Sequence, residues 1–347
     1  MPRRRGTRFA LSVMLTATAA FVPAAVGARQ PAAPCPNGVL ARVFMPNPVA
    51  SSGNPDLRDN KDRDSAALNS QRVTVQLTGL NGSGFLRGRW ARVVSETGDP
   101  AFETDCTYFY TRHDDRFEQV MAYYWVTQSQ LYLRSLGFNG TTFPEVNADA
   151  QRVRINQWGQ DNSFATDHPR DEVRFGKKGV DDAEDGDVIL HELGHQIHFS
   201  QSPDGFSGSS EADAIGEGFG DYWAFTVAKA VAGPQFDEAC IAKWDATSYD
   251  PPANGICLRR LDTDLMYPDD LDGRIHRDGQ VWSHALRNLH YAIGQAHADT
   301  AILMGQFDWT GTTMPDLAER IVAAVDDLYG AGQAAVAQAA FEERGIL

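Results

Sequence analysis

The first half of the chain carries short stretches of alternating apolar and polar side chains, the pattern of strands buried on one face. Residues 72–80, RVTVQLTGL, show this alternation most clearly. Similar stretches predict further strands within 39–44, 84–94, 151–159 and 171–179. Loops rich in Pro, Asn, Gly and Asp separate them, so we expect a strand-rich N-terminal half.

Helical periodicity dominates from the middle of the chain onward. Apolar side chains recur at helical spacing in 117–138, 187–200 and 209–233. Residues 240–275 look irregular, and from about Gly279 the pattern is helical to the end. This order predicts an α+β fold, in which the helix at 187–200 lies between a strand-rich N-lobe and a helical C-lobe.

The N-terminus has the parts of a secretion signal. Basic residues within 1–9 precede an apolar stretch at 10–22, too short to span a bilayer comfortably, and small residues mark a cleavage position at Ala28. An uncleaved membrane anchor is the alternative, but we favour export to the periplasm or the extracellular space. The predicted divisions are a signal peptide at 1–28, a strand- and loop-rich segment at 29–105, an N-lobe at 106–200 and a helical C-lobe at 201–347.

The charge of the chain argues against one class of partner. The 347 residues carry a formal net charge of -15 at pH 7. Because an acidic chain repels phosphate backbones, we expect no nucleic-acid partner. After signal cleavage we expect a monomer without membrane contact.

The four cysteines all lie after the signal segment, and an even number in an exported chain favours two disulfides. Three pairings are open. We favour Cys240–Cys257, which closes a short loop, and this leaves Cys35–Cys106. Buried thiols without disulfides are the alternative.

The stretch DVILHELGHQIHFS at 187–200 places two histidines four positions apart, with a glutamate beside the first. On a helix His191 and His195 lie on one face, so both imidazoles can bind one ion. Glu192 lies close enough to reach a water on that ion, the arrangement of an HExxH motif. The alternative is an exposed face of solvated histidines. The apolar flanks argue against it, because they predict a mostly buried helix.

A catalytic zinc needs a third protein ligand. At about 1.5 Å per residue, His198 lies roughly 10 Å along the helix from His191, too far to share one ion. In the next helix Glu217 and Asp221 are four positions apart. We expect Glu217 to bind zinc and Asp221 to hold the second ring nitrogen of a ligand histidine, rather than both being solvated. Weaker rivals on that helix are Glu211 and Asp213.

Several segments, in order, resemble the fungalysin family of zinc metallopeptidases and, more distantly, thermolysin, both within the gluzincin group. They are ARVFMPNPV, YYWVTQSQLYLRSLGF, VDDAEDGDVILHELGHQIH, GEGFGDYWAF, IHRDGQVWSHAL and FEERGI. The resemblance implies a thermolysin-like two-lobed fold, one catalytic Zn²⁺ and hydrolysis of peptide bonds. It makes His191, His195 and Glu217 the zinc ligands, Glu192 the general base and Asp221 the residue that orients His191.

For the oxyanion of the transition state, the resemblance implies His276. His284 and His290 are rivals, but both fall within a helical pattern, where a histidine is more often packed or at the surface. His276 comes just before that helix, and we expect Asp272 or Asp278 to hold its ring protonated.

The resemblance also implies substrate-binding residues. DNSFA resembles an edge strand that pairs with extended substrate, which implicates Asn162, Ser163, Phe164 and Ala165. CLRRLD resembles a segment whose arginine supports the substrate backbone, with Arg259 as the candidate and Arg260 as the rival. Val188 and Leu258 match positions that line an apolar pocket for the residue after the cut.

Calcium is not assigned from the sequence. The acidic cluster that binds paired calcium ions in thermolysin has no match after Asp221, and we interpret Asp187 as an N-cap or dipole partner. Within the acidic run at 181–187, the part DDAED (181–185) could bind calcium, but a solvated acidic turn is the favoured interpretation. The tyrosine that helps bind the oxyanion in thermolysin also has no clear match after His195, and Tyr267 is the candidate for that role.

The sequence therefore predicts a secreted zinc endopeptidase that cuts protein or peptide substrates before apolar residues. One alternative is a secreted zinc-binding or adhesion protein without turnover, against which Glu192 argues, because zinc binding alone does not need it. The other is an aminopeptidase of the same group, against which the chain shows no obvious motif for a free N-terminus.

Overall fold

The computed structural model of this chain describes Cys35 and residues 38–94, 97–157, 159–249 and 257–347. The expected signal peptide and its cleavage position at Ala28 lie outside these residues. The described residues all belong to the unit Ala32–Leu347. Within the described ranges, no helix combines the length and the apolar character needed to cross a bilayer.

The strands form two main sheets and one two-stranded ribbon. In chain order they are β1 (Val39–Val43), β2 (Val73–Leu77), β3 (Ala91–Val93), β4 (Thr107–Tyr108), β5 (Gln151–Arg154), β6 (Phe164–Thr166), β7 (Glu172–Arg174), β8 (Cys240–Ile241) and β9 (Arg259–Arg260). The sheet orders are β2-β1-β4, β3-β5-β7-β6 and β8-β9. In the second sheet β6 runs antiparallel to β7, with Ala165 opposite Val173, and forms the edge.

The helices lie mostly in the C-terminal half. In chain order they are α1 (Pro48–Ser52), α2 (Ala66–Asn69), α3 (Arg116–Ser135), α4 (Gly186–Gln201), α5 (Ser210–Ala232), α6 (Ile275–Ile293), α7 (Gln295–Gln306), α8 (Met314–Tyr329) and α9 (Ala331–Glu342). Helix α5 is buried along most of its length and packs against both α4 and α6. It begins where Ser209 accepts a hydrogen bond from the Ala212 amide at 3.0 Å, a standard N-cap.

The fold class agrees with the prediction: the protein is α+β, with strands concentrated before α4 and helices after it. All five predicted strand stretches contain a strand, and α3, α4 and α5 lie where the periodicity places them. Helix α6 begins at Ile275, slightly before the expected position near Gly279. The segment boundaries at 105/106 and 200/201 stay a prediction. Strand β4, which follows the first boundary, pairs with β1, which precedes that boundary.

Both favoured disulfides are present, Cys35–Cys106 and Cys240–Cys257. The second bond lies beside the ribbon that β8 forms with β9. The region expected to be irregular, 240–275, therefore contains a short antiparallel pair of strands. Strands of two residues are too short to give a recognisable sequence pattern.

The acidic run at 181–187 is not the solvated turn that we expected. Glu184 and Asp185 are fully buried, and their partners come from distant parts of the chain. Arg112 donates to Glu184 at 2.9 Å, and Asn47 donates to Asp185 at 3.0 Å. The N-cap of α4 is Asp185, which accepts from the amide of Asp187 at 2.9 Å. Asp187 is therefore not the cap, but it lies in the first turn of the helix, as the alternative of a dipole partner requires.

Candidate metal centre

Helix α4 presents two histidines to one side, as the four-residue spacing requires. The rings of His191 and His195 lie edge to face with centroids 4.9 Å apart. His191 and the adjacent Glu192 are only 6% and 5% exposed. The helix is therefore buried around its motif, and the alternative of a solvated histidine face does not hold.

Helix α5 brings the third member of the group to these rings. The Glu217 carboxylate lies 3.4 Å from His191 Nε2 through one oxygen and 3.6 Å from His195 Nε2 through the other. A close contact between the two helices makes this approach feasible. A β-carbon built on Gly194 would lie 2.7 Å from the Gly220 α-carbon, and one built on Gly220 would lie 2.7 Å from His191 Nδ1. No side chain larger than hydrogen fits at either position without moving the helices.

The three side chains fit a zinc ion in both donor type and spacing. One donor atom each from His191, His195 and Glu217 lies within 4.8 Å of the other two. Two imidazoles and one carboxylate form a known donor set for catalytic zinc, and ligands at about 2.0–2.2 Å in tetrahedral geometry are separated by about 3.4 Å. The nitrogen–oxygen separations of 3.4 and 3.6 Å match that spacing.

Asp221 lies behind His191, where it fixes the ring. Its Oδ1 is 2.9 Å from His191 Nδ1, which leaves Nε2 directed towards Glu217. Arg259 donates two hydrogen bonds to the Asp221 carboxylate, from Nε to Oδ2 at 2.6 Å and from Nη2 to Oδ1 at 2.7 Å. Because a carboxylate only accepts, the closer contact with Asp221 places the ring proton of His191 on Nδ1, although Arg259 Nη2 also lies 3.2 Å from that nitrogen.

The charges around the site favour a cation at its centre. Burial and Arg259 lower the pKa of His191, but hydrogen bonds to Asp221 and Glu217 outweigh them and raise that pKa to about 10. Burial lowers the pKa of His195 to about 4, so its ring is a neutral donor near pH 7. Burial alone would raise the pKa of Glu217, yet the two histidines hold it well below its usual range.

Glu192 is a carboxylate without a settled partner. Within the described residues its Oε2 has no hydrogen-bond partner, although that atom is buried. Burial raises the pKa of Glu192 to about 7; Glu217 adds to the rise and His191 opposes it. A group with this pKa in a cleft can take up and release a proton near neutral pH.

His276 approaches the carboxylate of Glu217 from helix α6. It lies in the first turn of α6, and its Nε2 is 3.3 Å from Glu217 Oε2, with 62% of the side chain exposed. The acids expected to protonate it are used elsewhere. Asp272 pairs with Arg274 at 2.5 Å, and Asp278 accepts from the Gly273 amide at 2.8 Å. Burial lowers the pKa of His276 in spite of Glu217, so the expectation of a ring held protonated by Asp272 or Asp278 is wrong.

The rival histidines have other contacts. His284 Nδ1 lies 2.8 Å from the Thr263 carbonyl oxygen, and His290 packs its ring against Phe225. His198 stacks on Phe206 with ring centroids 3.5 Å apart, remote from the ligand group. Of the late histidines, only His276 is among the residues that line the cleft over the described part of the chain.

A cleft of about 1080 Å³ contains the ligand group and Glu192. Every residue expected to bind substrate also lines it: Asn162, Ser163, Phe164, Ala165, Val188, Leu258 and Arg259. The edge segment is displaced slightly from its expected place, since β6 begins at Phe164 and Asn162 precedes it. Arg260 instead pairs with Asp237 and Asp262, so Arg259 is the arginine at the cleft.

Some cleft residues were missed by sequence reasoning. Tyr249 lines the cleft and is 40% exposed, whereas the expected tyrosine, Tyr267, is not among the lining residues. The pairing of Arg259 with Asp221 was also missed. No local pattern links two residues 38 positions apart, although the buried aspartate one helical turn after Glu217 implies that a positive partner is needed.

No protein-family model and no curated protein sequence matches this chain. Among the solved structures that match is the precursor of protealysin, a metalloproteinase from Serratia proteamaculans. It is 16% identical in sequence, with a TM-score of 0.49, over 69% of this chain and 80% of that one. The activity in that description is a property of the Serratia protein.

Replacing Asp221 by asparagine is expected to weaken zinc binding about 10–100-fold, the usual effect of removing a carboxylate that orients a ligand histidine. The amide would keep the shape of the side chain but lose the charge that holds His191 Nδ1 and Arg259. Zinc affinity is measured by competition with a chelator of known affinity.

The matched control is Asp237→Asn, which disrupts the equivalent aspartate pair of Arg260 outside the ligand group. Its zinc affinity should equal that of the unaltered protein. Equal affinities for all three proteins would mean that Asp221 does not orient the ligand.

Proposed function

We propose that this protein is a secreted zinc-dependent endopeptidase. The observation that carries the proposal is the group of His191, His195 and Glu217, with the buried Glu192 beside it, in one cleft. Two disulfides in the described residues agree with an oxidising compartment, which supports the expectation of export.

His191, His195 and Glu217 would hold the zinc ion, with Asp221 and Arg259 fixing His191 from behind. When bound, zinc supplies a water of lowered pKa and polarises the carbonyl to be cleaved. The remaining chemistry belongs to the residues of the chain.

Glu192 is the proposed general base. Its pKa of about 7, raised by burial, suits a group that takes a proton from the attacking water and passes it to the leaving amine. His276 lies on the exposed side of Glu217 and is the proposed donor to the oxyanion. Because its pKa is lowered, its neutral ring would donate through the nitrogen that carries the proton.

Substrate is proposed to lie along the edge strand β6 in extended form, a common mode of peptide binding. The side chain after the cut would contact Val188 and Leu258, which line the cleft with the apolar Ile241 and Ala242. These apolar walls support a preference for Leu, Ile, Val or Phe at that position.

Two other functions receive less support. A zinc-binding or adhesion protein without turnover has no need for Glu192, whose buried carboxylate with an unpartnered oxygen costs stability. An aminopeptidase needs a group that binds the free amine at one end of the cleft. The sequence shows no obvious motif for such a group.

Glu192→Gln should retain zinc and fold but lower kcat/KM by about 10²–10⁴-fold, because the amide cannot accept the proton of water. Activity is measured on a denatured protein substrate, and zinc by metal analysis. A variant that keeps nearly full activity would show that another group is the base.

His276→Ala should lower kcat/KM by about 2.7–4 kcal/mol of transition-state stabilisation without loss of zinc. The control is His284→Ala, which removes a histidine of the same helix that contacts Thr263 instead. If His284→Ala abolishes turnover while His276→Ala does not, the assignment of α6 to the oxyanion is incorrect.

Mass mapping of cuts in an unfolded protein should show most of them directly before Leu, Ile, Val or Phe. A peptide with a blocked N-terminus should be cut as well as its free form. Cuts mainly before charged residues would refute the pocket of Val188 and Leu258. Activity restricted to the free peptide would favour the aminopeptidase.

A further inference from the structure

A group of three acidic side chains lies beside the cleft, apart from the candidate zinc ligands. Asp161, Asp182 and Asp245 come from three separate segments, yet one carboxylate oxygen of each lies within 4.8 Å of the other two. Asp182 is 2% exposed and Asp245 4%, whereas Asp161 is half-buried. Asp182 and Asp245 line the same cleft as the ligand group.

Each of these carboxylates has an oxygen without a partner. Over the described residues, the Oδ1 atoms of Asp161, Asp182 and Asp245 are buried and accept from no N–H or hydroxyl donor. Asp161 and Asp245 lie within hydrogen-bonding distance of each other, a contact that two carboxyl groups can make only when they share a proton. The second carboxylate oxygen of Asp182 does have donors. Asp182 Oδ2 accepts hydrogen bonds from Ser163 Oγ at 2.5 Å and from the Gly176 amide at 3.4 Å. Buried unpaired carboxylate oxygens cost free energy unless a cation or a proton compensates them.

A second acidic group offers an internal comparison. Asp115, Glu118 and Asp181 also lie close together, and both oxygens of Glu118 and Oδ2 of Asp181 likewise lack a hydrogen bond, but Lys177 supplies a positive charge there, at 2.8 Å from Asp115 and 4.0 Å from Asp181. Among the described residues, no lysine, arginine or histidine lies within ion-pair distance of Asp161, Asp182 or Asp245. Burial raises the pKa of Asp161, although Lys178 lowers that pKa from farther away. Burial and then the charges of Asp182 and Asp161 raise the pKa of Asp245 well above its usual value.

We propose that Asp161, Asp182 and Asp245 bind one calcium ion. Calcium takes carboxylate oxygens at about 2.3–2.6 Å, so two of its ligands are separated by up to about 5 Å, in agreement with the 4.8 Å limit of the group. The unpartnered oxygens are closed to solvent, so a small dehydrated ion fits them better than a cationic side chain of a substrate. The site does not depend on the peptidase assignment.

The position of the ion would connect three parts of the cleft. Asp161 directly precedes the edge segment that begins at Asn162, Asp182 lies in the turn before α4, and Asp245 follows β8. Ser163, in the edge segment, already donates to Asp182. Calcium would therefore fix the edge segment against the base of the motif helix and stabilise the cleft wall that faces substrate.

Calcium binding is tested by calorimetry on the zinc-loaded protein carrying Glu192→Gln, which prevents self-cleavage. Terbium luminescence excited through Trp244, next to Asp245, gives an independent reading that calcium should reverse. We expect one calcium ion per chain, a higher melting temperature in calcium, and at least about tenfold weaker binding in Asp245→Asn and in the half-buried Asp161→Asn.

The control is Asp115→Asn, which alters the group that already contains Lys177 and should leave calcium binding unchanged. Loss of binding in Asp115→Asn, with retention in the other two variants, would move the ion to the second group and overturn the proposal. Failure of the protein to bind calcium at about 10 mM, beyond the weakest extracellular sites, would show that the carboxylates share protons instead.

Discussion

The close approach of α4 and α5 is the constraint on which the rest of the site depends. Gly194 and Gly220 let the two backbones meet, so Glu217 can lie against the rings of His191 and His195. The same helix approaches α6 on its other side through Gly218, where a β-carbon would lie 2.3 Å from the Gly279 carbonyl oxygen. Gly218 and Gly220, which both follow Glu217 in α5, thus allow the close packing that brings Glu217 to the two histidines of α4 and to His276 of α6.

The position of His191 beside His195, and of Glu217 beside Asp221, could be predicted from the sequence because both spacings are local. Four-residue intervals within two helices place His191 with His195, and Glu217 with Asp221, whatever the rest of the fold. The partners that complete the site are not local. Arg259 meets Asp221 from 38 positions away, and a sequence pattern does not record that distance.

The burial of the acidic run could not be predicted for the same reason. Judged by composition, residues 181–187 look solvated, and only the fold supplies Arg112 and Asn47 to bury Glu184 and Asp185. The partners of the His276 ring were also predicted incorrectly. Nearby acids were expected to hold the ring, but short-range contacts with arginine and backbone amides already occupy them.

Exposure separates His276 from the other residues of the candidate site. Asp221 is fully buried, and His191 is nearly so, which keeps their geometry independent of what enters the cleft. Glu192 is also buried, yet one of its carboxylate oxygens has no hydrogen-bond partner among the described residues. His276 is mostly exposed and projects from the start of a helix. In the proposed function, the buried Asp221 and His191 would hold the metal, and the exposed His276 would meet the substrate.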